Sequence, residues 1–141
     1  GHVTGVQTCA LPISVFVKRL IGLPGDSVQV KEGRVFLNGA VLQREDMPRH
    51  VLKVAYDGPK EVVTWREILP EGGSHAIIGT EGAKGFLDDT PVFRVPRQSY
   101  FVLGDNRDNS NDSRVAPANR GLGFISDDLL VGKVVGGWGG L

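Results

Sequence analysis

Two features of the sequence contain residue types that could do chemistry: a lysine inside an apolar run, and a polar block near the other end of the chain. Lys18 is flanked by Val, Phe, Leu and Ile side chains in the run 15–21. Composition alone favours a lysine that faces water from one side of a strand, because buried lysines are rare. The alternative is a lysine whose pKa is lowered by burial, which leaves a neutral amine able to act as a general base.

The polar block Gly104–Arg114 reads GDNRDNSNDSR and directly follows the apolar segment 100–103. Its spacing excludes a calcium-binding loop, since the sixth and twelfth positions counted from Asp105 are Ser110 and Ala116 instead of Gly and Glu. A solvent-exposed loop is the simplest interpretation. The mixture of Arg and Asp next to an apolar strand nevertheless favours a buried network of mutually paired side chains, which can hold a catalytic group in place.

Both features are predicted to lie in a β-rich fold. Twenty Gly and eight Pro separate short runs rich in Val, Ile and Phe, which is typical of strands joined by turns. The segment 15–42 predicts a β-meander, and its clearest signal is the hairpin pair Asn38-Gly39. Ser126 is predicted to cap a helical turn over 127–130. Further strands are predicted at 51–55, 62–65, 76–78, 92–95, 100–103 and 131–135, and 61–69 is also compatible with a short helix.

Composition argues against several classes of protein. Sixteen basic residues balance 16 acidic ones, whereas a nucleic-acid-binding protein usually has a clear basic excess. The single Cys provides neither a disulfide framework nor a Cys-rich zinc site. No run reaches the roughly 18 apolar residues of a membrane-spanning helix.

The first residues are predicted to be foreign to the rest of the chain. Residues 3–13 read VTGVQTCALPI, which matches the in-frame translation of a common sequencing adapter at every position. Residues 1–14 are therefore predicted to be an adapter-derived scar, not native sequence, and Cys9 then has no biological role. The native part is expected to begin near Ser14 or Val15.

Two long motifs resemble those of one family. The segment Lys18–Asp26, continuing to Asn38-Gly39, resembles the lysine-containing box of bacterial type I signal peptidases, also called leader peptidases. The block Gly104–Arg114 resembles the C-terminal box of the same family, G-D-N-R-D-N-S-x-D-S-R, at every fixed position. Gly132-Lys133 fits the family's usual exit from that region, so the similarity extends over about 15–135.

This resemblance implies a membrane-anchored serine endopeptidase that uses a Ser–Lys dyad to remove signal peptides from exported preproteins. The catalytic domain would lie on the outer face of the bacterial cytoplasmic membrane, and the preprotein would bind as an extended strand. By position, Lys18 matches the general base and Ser110 matches the hydroxyl that orients it. The family's supporting residues, which hold the geometry of the site and form its buried wall, match Asp112, Arg114, Gly104, Asp105, Asn106 and Arg107. No cofactor, metal or nucleic acid is implied.

The resemblance also implies a mainly β fold, in which a signal-peptidase-like β-sheet core carries an inserted smaller β lobe. On this basis, residues 15–43 and 96–141 are predicted to form the catalytic core and 44–95 the inserted lobe. The segment 115–123 is longer than the expected link and is predicted to be a surface loop.

One departure from the family pattern concerns the nucleophile. The family's serine lies upstream in a Ser-Met-x-Pro-Thr-type box that follows one or two transmembrane helices, and this chain contains no such box. Ser14 lies only four residues before Lys18 and is not assigned as the nucleophile. The chain is therefore expected to be a truncated, partial catalytic core that is inactive as given, with its membrane contact supplied by a missing N-terminal helix.

Other interpretations remain open. A non-catalytic β module could bind extended peptides by strand addition, although it would have no need of Lys18 or Ser110. A conjugation-type peptidase of the same superfamily would differ mainly in its substrate. A self-cleaving repressor of the LexA type is disfavoured, because the chain has no DNA-binding unit and no cleavable Ala-Gly peptide. His50 and His75 could suggest a Ser–His–Asp triad, but both lie away from the motifs and are predicted to be surface residues.

Overall fold

The described residues form mainly β-strands, as the sequence predicts. The structure is a computed structural model, and it describes residues 5–11, 14–54, 58–80 and 85–135. Two short 3-10 helices lie at Pro117–Asn119 and Asp127–Leu129. In this part of the chain, no helix has the length and apolar character needed to cross a bilayer. In chain order the strands are β1 (Gly5–Leu11), β2 (Ser14–Gly22), β3 (Ser27–Lys31), β4 (Arg34–Leu37), β5 (Ala40–Val41), β6 (Gln43–Asp46), β7 (His50–Val54), β8 (Gly58–Ile68), β9 (Ser74–Gly79), β10 (Phe93–Arg94), β11 (Ser99–Leu103), β12 (Ile125–Ser126) and β13 (Leu130–Lys133).

The first sheet carries Lys18 on its central strand. Its order is β12-β11-β2-β1-β13, and each neighbouring pair is antiparallel. β2 pairs with β11 at Leu20↔Val102 and with β1 at Lys18↔Gln7. β1 lies within residues 1–14, the predicted adapter-derived scar. Because strand pairing does not show where a sequence comes from, the origin of these residues stays a prediction.

The second sheet contains the predicted meander. Its order is β10-β3-β4-β5, and its hairpin turn at Asn38-Gly39 is confirmed. Both turn residues have positive φ, 52° and 84°, which a two-residue hairpin of this type requires. The Asn38 side chain also attaches the turn to β3, because its Oδ1 accepts a hydrogen bond from Ser27 N at 2.9 Å.

The third sheet is built around β8. This strand pairs with β7 along its first half, with β6 along its second half, and with β9 on its other side. The strand alternative for 61–69 is therefore the correct one, since neighbouring strands supply the backbone hydrogen bonds that a helix would form internally. All four strands lie within 43–79, which suits the lobe predicted at 44–95, although the division into core and lobe stays a prediction.

Two apolar clusters lie on opposite faces of β11. Phe101 and Leu103 belong to the larger cluster and Val102 to the smaller one, because successive side chains of a strand point to opposite faces. Burial on both faces explains the uninterrupted apolar run of this strand. The larger cluster is formed by Ile21, Val28, Val30, Val35, Leu37, Leu42, Leu69, Val95, Phe101 and Leu103.

Two sequence predictions about the C-terminal part need comment. Ser126 does precede the 3-10 helix Asp127–Leu129, but the predicted capping bond is absent. Its hydroxyl donates instead to Asp128 Oδ1 at 2.6 Å. The segment 115–123 is exposed at 116–120, as predicted for a surface loop, and it is anchored by Leu122, which is buried in the smaller cluster.

Gly22, the last residue of β2, offers a test of this packing. A Cβ at this position would lie 2.9 Å from Val28 Cγ2 and 3.0 Å from Phe101 Cβ. We expect Gly22→Ala to lower the free energy of unfolding by about 1–3 kcal/mol, as overpacking of a filled core does. Chemical denaturation would measure the change. Gly132→Ala is the matched control, because nothing lies within 4 Å of its added Cβ, and equal stability of the two variants would contradict the packing argument.

Candidate active site

Lys18 and Ser110 are in direct contact. Lys18 is half-buried in β2, and its Nζ donates a hydrogen bond to Ser110 Oγ at 2.8 Å across 92 positions of sequence. The contact arises because β11 ends at Leu103, opposite Arg19 of β2, so the polar block begins beside Lys18. The structure thus brings together the two residues to which the sequence assigns chemistry, while their roles stay proposals.

Gly104 makes this contact possible. A Cβ at this buried position would overlap Ser110 Oγ and lie 3.5 Å from Lys18 Nζ. Any other residue would therefore push the Ser110 side chain away from the lysine. The need for glycine here is steric, because the backbone of Gly104 has no unusual φ.

Asp112 holds the polar block together from within. Its carboxylate is completely buried, and it accepts hydrogen bonds from Gly104 N (3.1 Å), Arg114 N (3.1 Å), Arg114 Nε (2.9 Å) and Arg114 Nη2 (2.8 Å). Burial alone would raise the pKa of Asp112, but the hydrogen bond and charge of Arg114, with the two backbone N–H groups, lower it below its ordinary value. The predicted network of buried, mutually paired side chains is confirmed at this position.

Arg19 attaches the start of the block to β2. Its Nε and Nη2 donate to the two carboxylate oxygens of Asp105 at 3.0 and 2.8 Å, a bidentate ion pair that is largely shielded from solvent. Sequence reasoning included Asp105 in the site but not Arg19. The available signal was the position of Arg19 directly after Lys18 in the lysine-containing box.

The middle of the block is attached to the third sheet. Asn106 forms a parallel bridge with Ile78 of β9, in which Ile78 N donates to Asp105 O (2.9 Å) and Arg107 N donates to Ile78 O (3.0 Å). The block is also attached to β11, since the Ser113 hydroxyl accepts a hydrogen bond from Val102 N at 2.9 Å. The block therefore contacts two different sheets, and Ser110 lies between these attachments.

Two buried residues outside the predicted set also contact the block. Glu67 and His75 face each other on β8 and β9, and Glu67 Oε1 lies 2.9 Å from His75 Nε2. Arg107 donates to both oxygens of Glu67, at 3.0 and 2.7 Å, and its Nε donates to Gly104 O at 3.0 Å. The prediction that His75 is a surface residue is wrong, because the side chain is buried. The hydrogen bond to the carboxylate of Glu67 offsets the free-energy cost of burying the ring. The His50 side chain lies outside what the structure describes.

The environment of Glu67 strongly favours its ionised form. Burial alone would raise the pKa of Glu67, but the charge of Arg107 and the hydrogen bonds to His75 and Arg107 lower it from 4.5 to about 2. Neither Glu67 nor His75 lies in a recognisable motif. Their participation depends on the register of β8 and β9, which no local pattern specifies.

All the residues that the sequence assigns to the site lie in one connected arrangement. Lys18 and Ser110 are half-buried, as are Asp105 and Asn106, whereas the others are buried. A lysine held by a hydroxyl acceptor beside a rigid, internally paired loop can take part in proton transfer. Within the described ranges, no group of three or more His, Cys, Asp or Glu side chains could hold a metal ion.

Known proteins provide an independent comparison. The model of a family described as "Signal peptidase, peptidase S26" matches residues 8–138. Signal peptidase I of Rickettsia typhi is 36% identical over 123 residues, and that of Rickettsia prowazekii is 35% identical over the same length. Each alignment covers 84% of this chain but only 43% of the relative, so the chain spans less than half the length of these relatives.

A solved structure supports the fold. The crystal structure of a signal peptidase I from Enterococcus faecalis matches with a TM-score of 0.50 over 92% of each chain. The sequence identity is 23%, so this likeness concerns the fold and not the activity.

The carboxylate of Asp112 is expected to be essential for stability. Asp112→Ala would leave the buried Arg114 guanidinium, whose side chain is 2% exposed, without the carboxylate that neutralises its charge. We expect a loss of about 3–5 kcal/mol in the free energy of unfolding, measured by chemical denaturation. The control is Asp128→Ala, which removes an exposed carboxylate and one surface hydrogen bond. Similar stabilities for the two variants would argue against the role assigned to Asp112.

Glu67 is expected to make the fold sensitive to acid. Because its pKa is near 4.5 when unfolded and about 2 when folded, its stabilising contribution is complete above pH 4.5 and is lost as the pH falls towards 2. In Glu67→Gln, the dependence of unfolding free energy on pH should become shallower in this window by up to ~1.4 kcal/mol per pH unit. Denaturation between pH 2 and 5 would measure it. Glu61→Gln, on the exposed part of the same strand, should retain the slope of the parent chain.

Proposed function

Because this chain belongs to the signal peptidase family, peptidase S26, we propose that it derives from a serine endopeptidase that removes N-terminal signal peptides from exported preproteins. The observation that carries the proposal is the 2.8 Å hydrogen bond from Lys18 on β2 to Ser110. Ser110 lies in a loop that buried ion pairs hold in place. Lysine and hydroxyl are the groups that a Ser–Lys peptidase needs besides its nucleophile. The surrounding ion pairs provide the rigidity that such a site requires.

The proposed mechanism gives Lys18 the role of general base. Its neutral amine takes the proton from a serine hydroxyl, whose oxygen attacks the scissile carbonyl and forms an acyl-enzyme. The proton then passes to the leaving amine, and a water molecule activated by the same lysine hydrolyses the ester. Ser110 holds the lysine in line by accepting its hydrogen bond, as the observed contact would allow. No cofactor or metal takes part in these steps.

The supporting residues hold this geometry. Asp112 and Arg114 close the loop that carries Ser110, and Gly104 leaves room for its hydroxyl. Arg107 supports the carbonyl of Gly104, and Asp105 pairs with Arg19 next to the base. Asn106 contributes through its backbone, by the bridge to β9.

The nucleophile is proposed to come from a segment outside these 141 residues. The sequence contains no Ser-Met-x-Pro-Thr-type box, and the chain spans 43% of the length of its signal peptidase I relatives. We propose that the missing segment also includes an N-terminal helix in the bacterial cytoplasmic membrane, with the catalytic domain on its outer face. On this proposal the 141-residue chain by itself is inactive.

The substrate is proposed to be the signal peptide of a preprotein, bound as an extended strand along a sheet edge. Small side chains are expected at its −1 and −3 positions. A conjugation-type peptidase of the same superfamily would process a different substrate with the same groups, and a non-catalytic peptide-binding module would use neither Lys18 nor Ser110. Cleavage of a preprotein and binding without cleavage are therefore the outcomes that separate the peptidase from the peptide-binding module.

The test begins with sequencing the source locus upstream of the codon for Ser14 and expressing the complete reading frame. We expect this protein to cleave a preprotein with Ala at −1 and −3, and Lys18→Met to lower kcat/KM by about a thousandfold or more. Lys133→Met, a change to an exposed lysine of β13, should leave the rate unchanged. The 141-residue chain should show no cleavage.

Three results would contradict the proposal. Cleavage by the 141-residue chain would refute its inactivity, and full activity of Lys18→Met would refute the general base. Binding of the peptide without cleavage by the complete protein would favour the peptide-binding module.

A further inference from the structure

Glu67, His75 and Arg107 form a buried cluster of ionisable side chains behind the candidate site. Glu67 is 3% exposed, and its carboxylate contacts both the His75 ring and the Arg107 guanidinium. Burying such groups costs free energy, and the mutual pairing only offsets that cost, so an apolar cluster of similar volume would often be at least as stable. The cluster therefore calls for a role other than stability.

The hydrogen bonds of the cluster lead from the third sheet to the reactive pair. Glu67 on β8 holds the guanidinium of Arg107, whose Nε donates to Gly104 O. Gly104 is in turn the residue against which the Ser110 hydroxyl packs. Displacement of Arg107 would thus be transmitted to Ser110, and Ser110 accepts the hydrogen bond of Lys18.

The backbone strengthens this connection. Arg107 N donates to Ile78 O of β9, and Arg107 O accepts a hydrogen bond from Arg114 Nη2 at 2.8 Å. Arg107 is therefore bonded to β9, to Glu67 on β8 and to the Asp112–Arg114 pair. Glu67 is the side chain that neutralises the charge of Arg107 in this position.

His75 orients the carboxylate of Glu67. A carboxylate only accepts hydrogen bonds, so the His75 Nε2 donates to Oε1. His75 Nδ1 is buried and has no hydrogen-bond partner among the described residues. The Nε2 side of the ring is therefore the side that holds the carboxylate of Glu67 in place.

We propose that Glu67, oriented by His75, is a positioning residue for the Lys18–Ser110 pair and acts through Arg107 and Gly104. Glu67 touches neither Lys18 nor the bond to be cleaved. Its role is to fix the part of the polar block that carries Ser110. The geometric part of this inference stands by itself, and its effect on catalysis rests on the proposed function.

The geometric part can be tested in the 141-residue chain by NMR. The reporters are the Cε resonance of Lys18 and the hydrogen exchange of the Arg107 amide, which is bonded to Ile78 O. We expect Glu67→Gln to shift the Lys18 resonance and to accelerate Arg107 exchange by about tenfold or more. Glu67→Asp keeps the charge but shortens the side chain, so it should give a smaller change in both reporters.

Glu61→Gln is the matched control, since it makes the same substitution on the same strand at an exposed position. It should change neither reporter. If Glu67→Gln folds and both reporters keep their parent values, the inference is wrong. If Glu67→Gln does not fold, His75→Asn replaces it, because this change keeps the charge of Glu67 but removes the ring that orients its carboxylate; an unchanged Lys18 resonance would then overturn the inference.

The catalytic part requires the complete reading frame. There, Glu67→Gln should lower kcat by about 10- to 100-fold with little change in KM, the signature of a misplaced catalytic group. Partial recovery of kcat in Glu67→Asp would support the role of the charge. Cleavage with an unchanged kcat would refute the positioning role and leave the proposed function standing. Shifted NMR reporters without any cleavage would refute the proposed function and leave the geometric inference standing.

Discussion

The buried carboxylate of Asp112 is the constraint on which the candidate site depends. It accepts four hydrogen bonds, and these connect the first residue of the polar block, Gly104, with its last residue, Arg114. A charge without solvent must be paired, so this ion pair requires the chain to close into one compact loop. Ser110 lies inside that loop, and its hydroxyl is thereby directed at Lys18.

The loop is attached to the rest of the molecule through two different sheets. Arg19 and Asp105 connect it to β2, the strand that also carries Lys18. Arg107 and Glu67 connect it to β8, supported by the backbone bridge between Asn106 and Ile78. Residues of the third sheet that are distant in sequence from the block therefore contribute to the geometry of the candidate site, although they lie in no motif.

Several elements could be predicted because their signals are local. The hairpin at Asn38-Gly39 depends on two residues that tolerate positive φ, and the strand before Gly104 depends on an uninterrupted apolar run. The pattern of the segment 61–69 fits both a strand and a helix, and it is the pairing with β6, β7 and β9 that makes the segment a strand. The sequence predicts a surface position for His75 and not its burial, because nothing in the neighbouring residues indicates that Glu67 is its partner.

The β-rich fold, the two long motifs and the residue types of the candidate site can be predicted from the sequence, because strand periodicity, turn residues and motif spacing are properties of neighbouring positions. The contact between Lys18 and Ser110, 92 positions away, and the contacts that add Arg19, Glu67 and His75 are known from the folded chain alone. A buried charge or hydroxyl must find a partner in space. Which partner it finds depends on strand register and loop closure, and no local pattern encodes those.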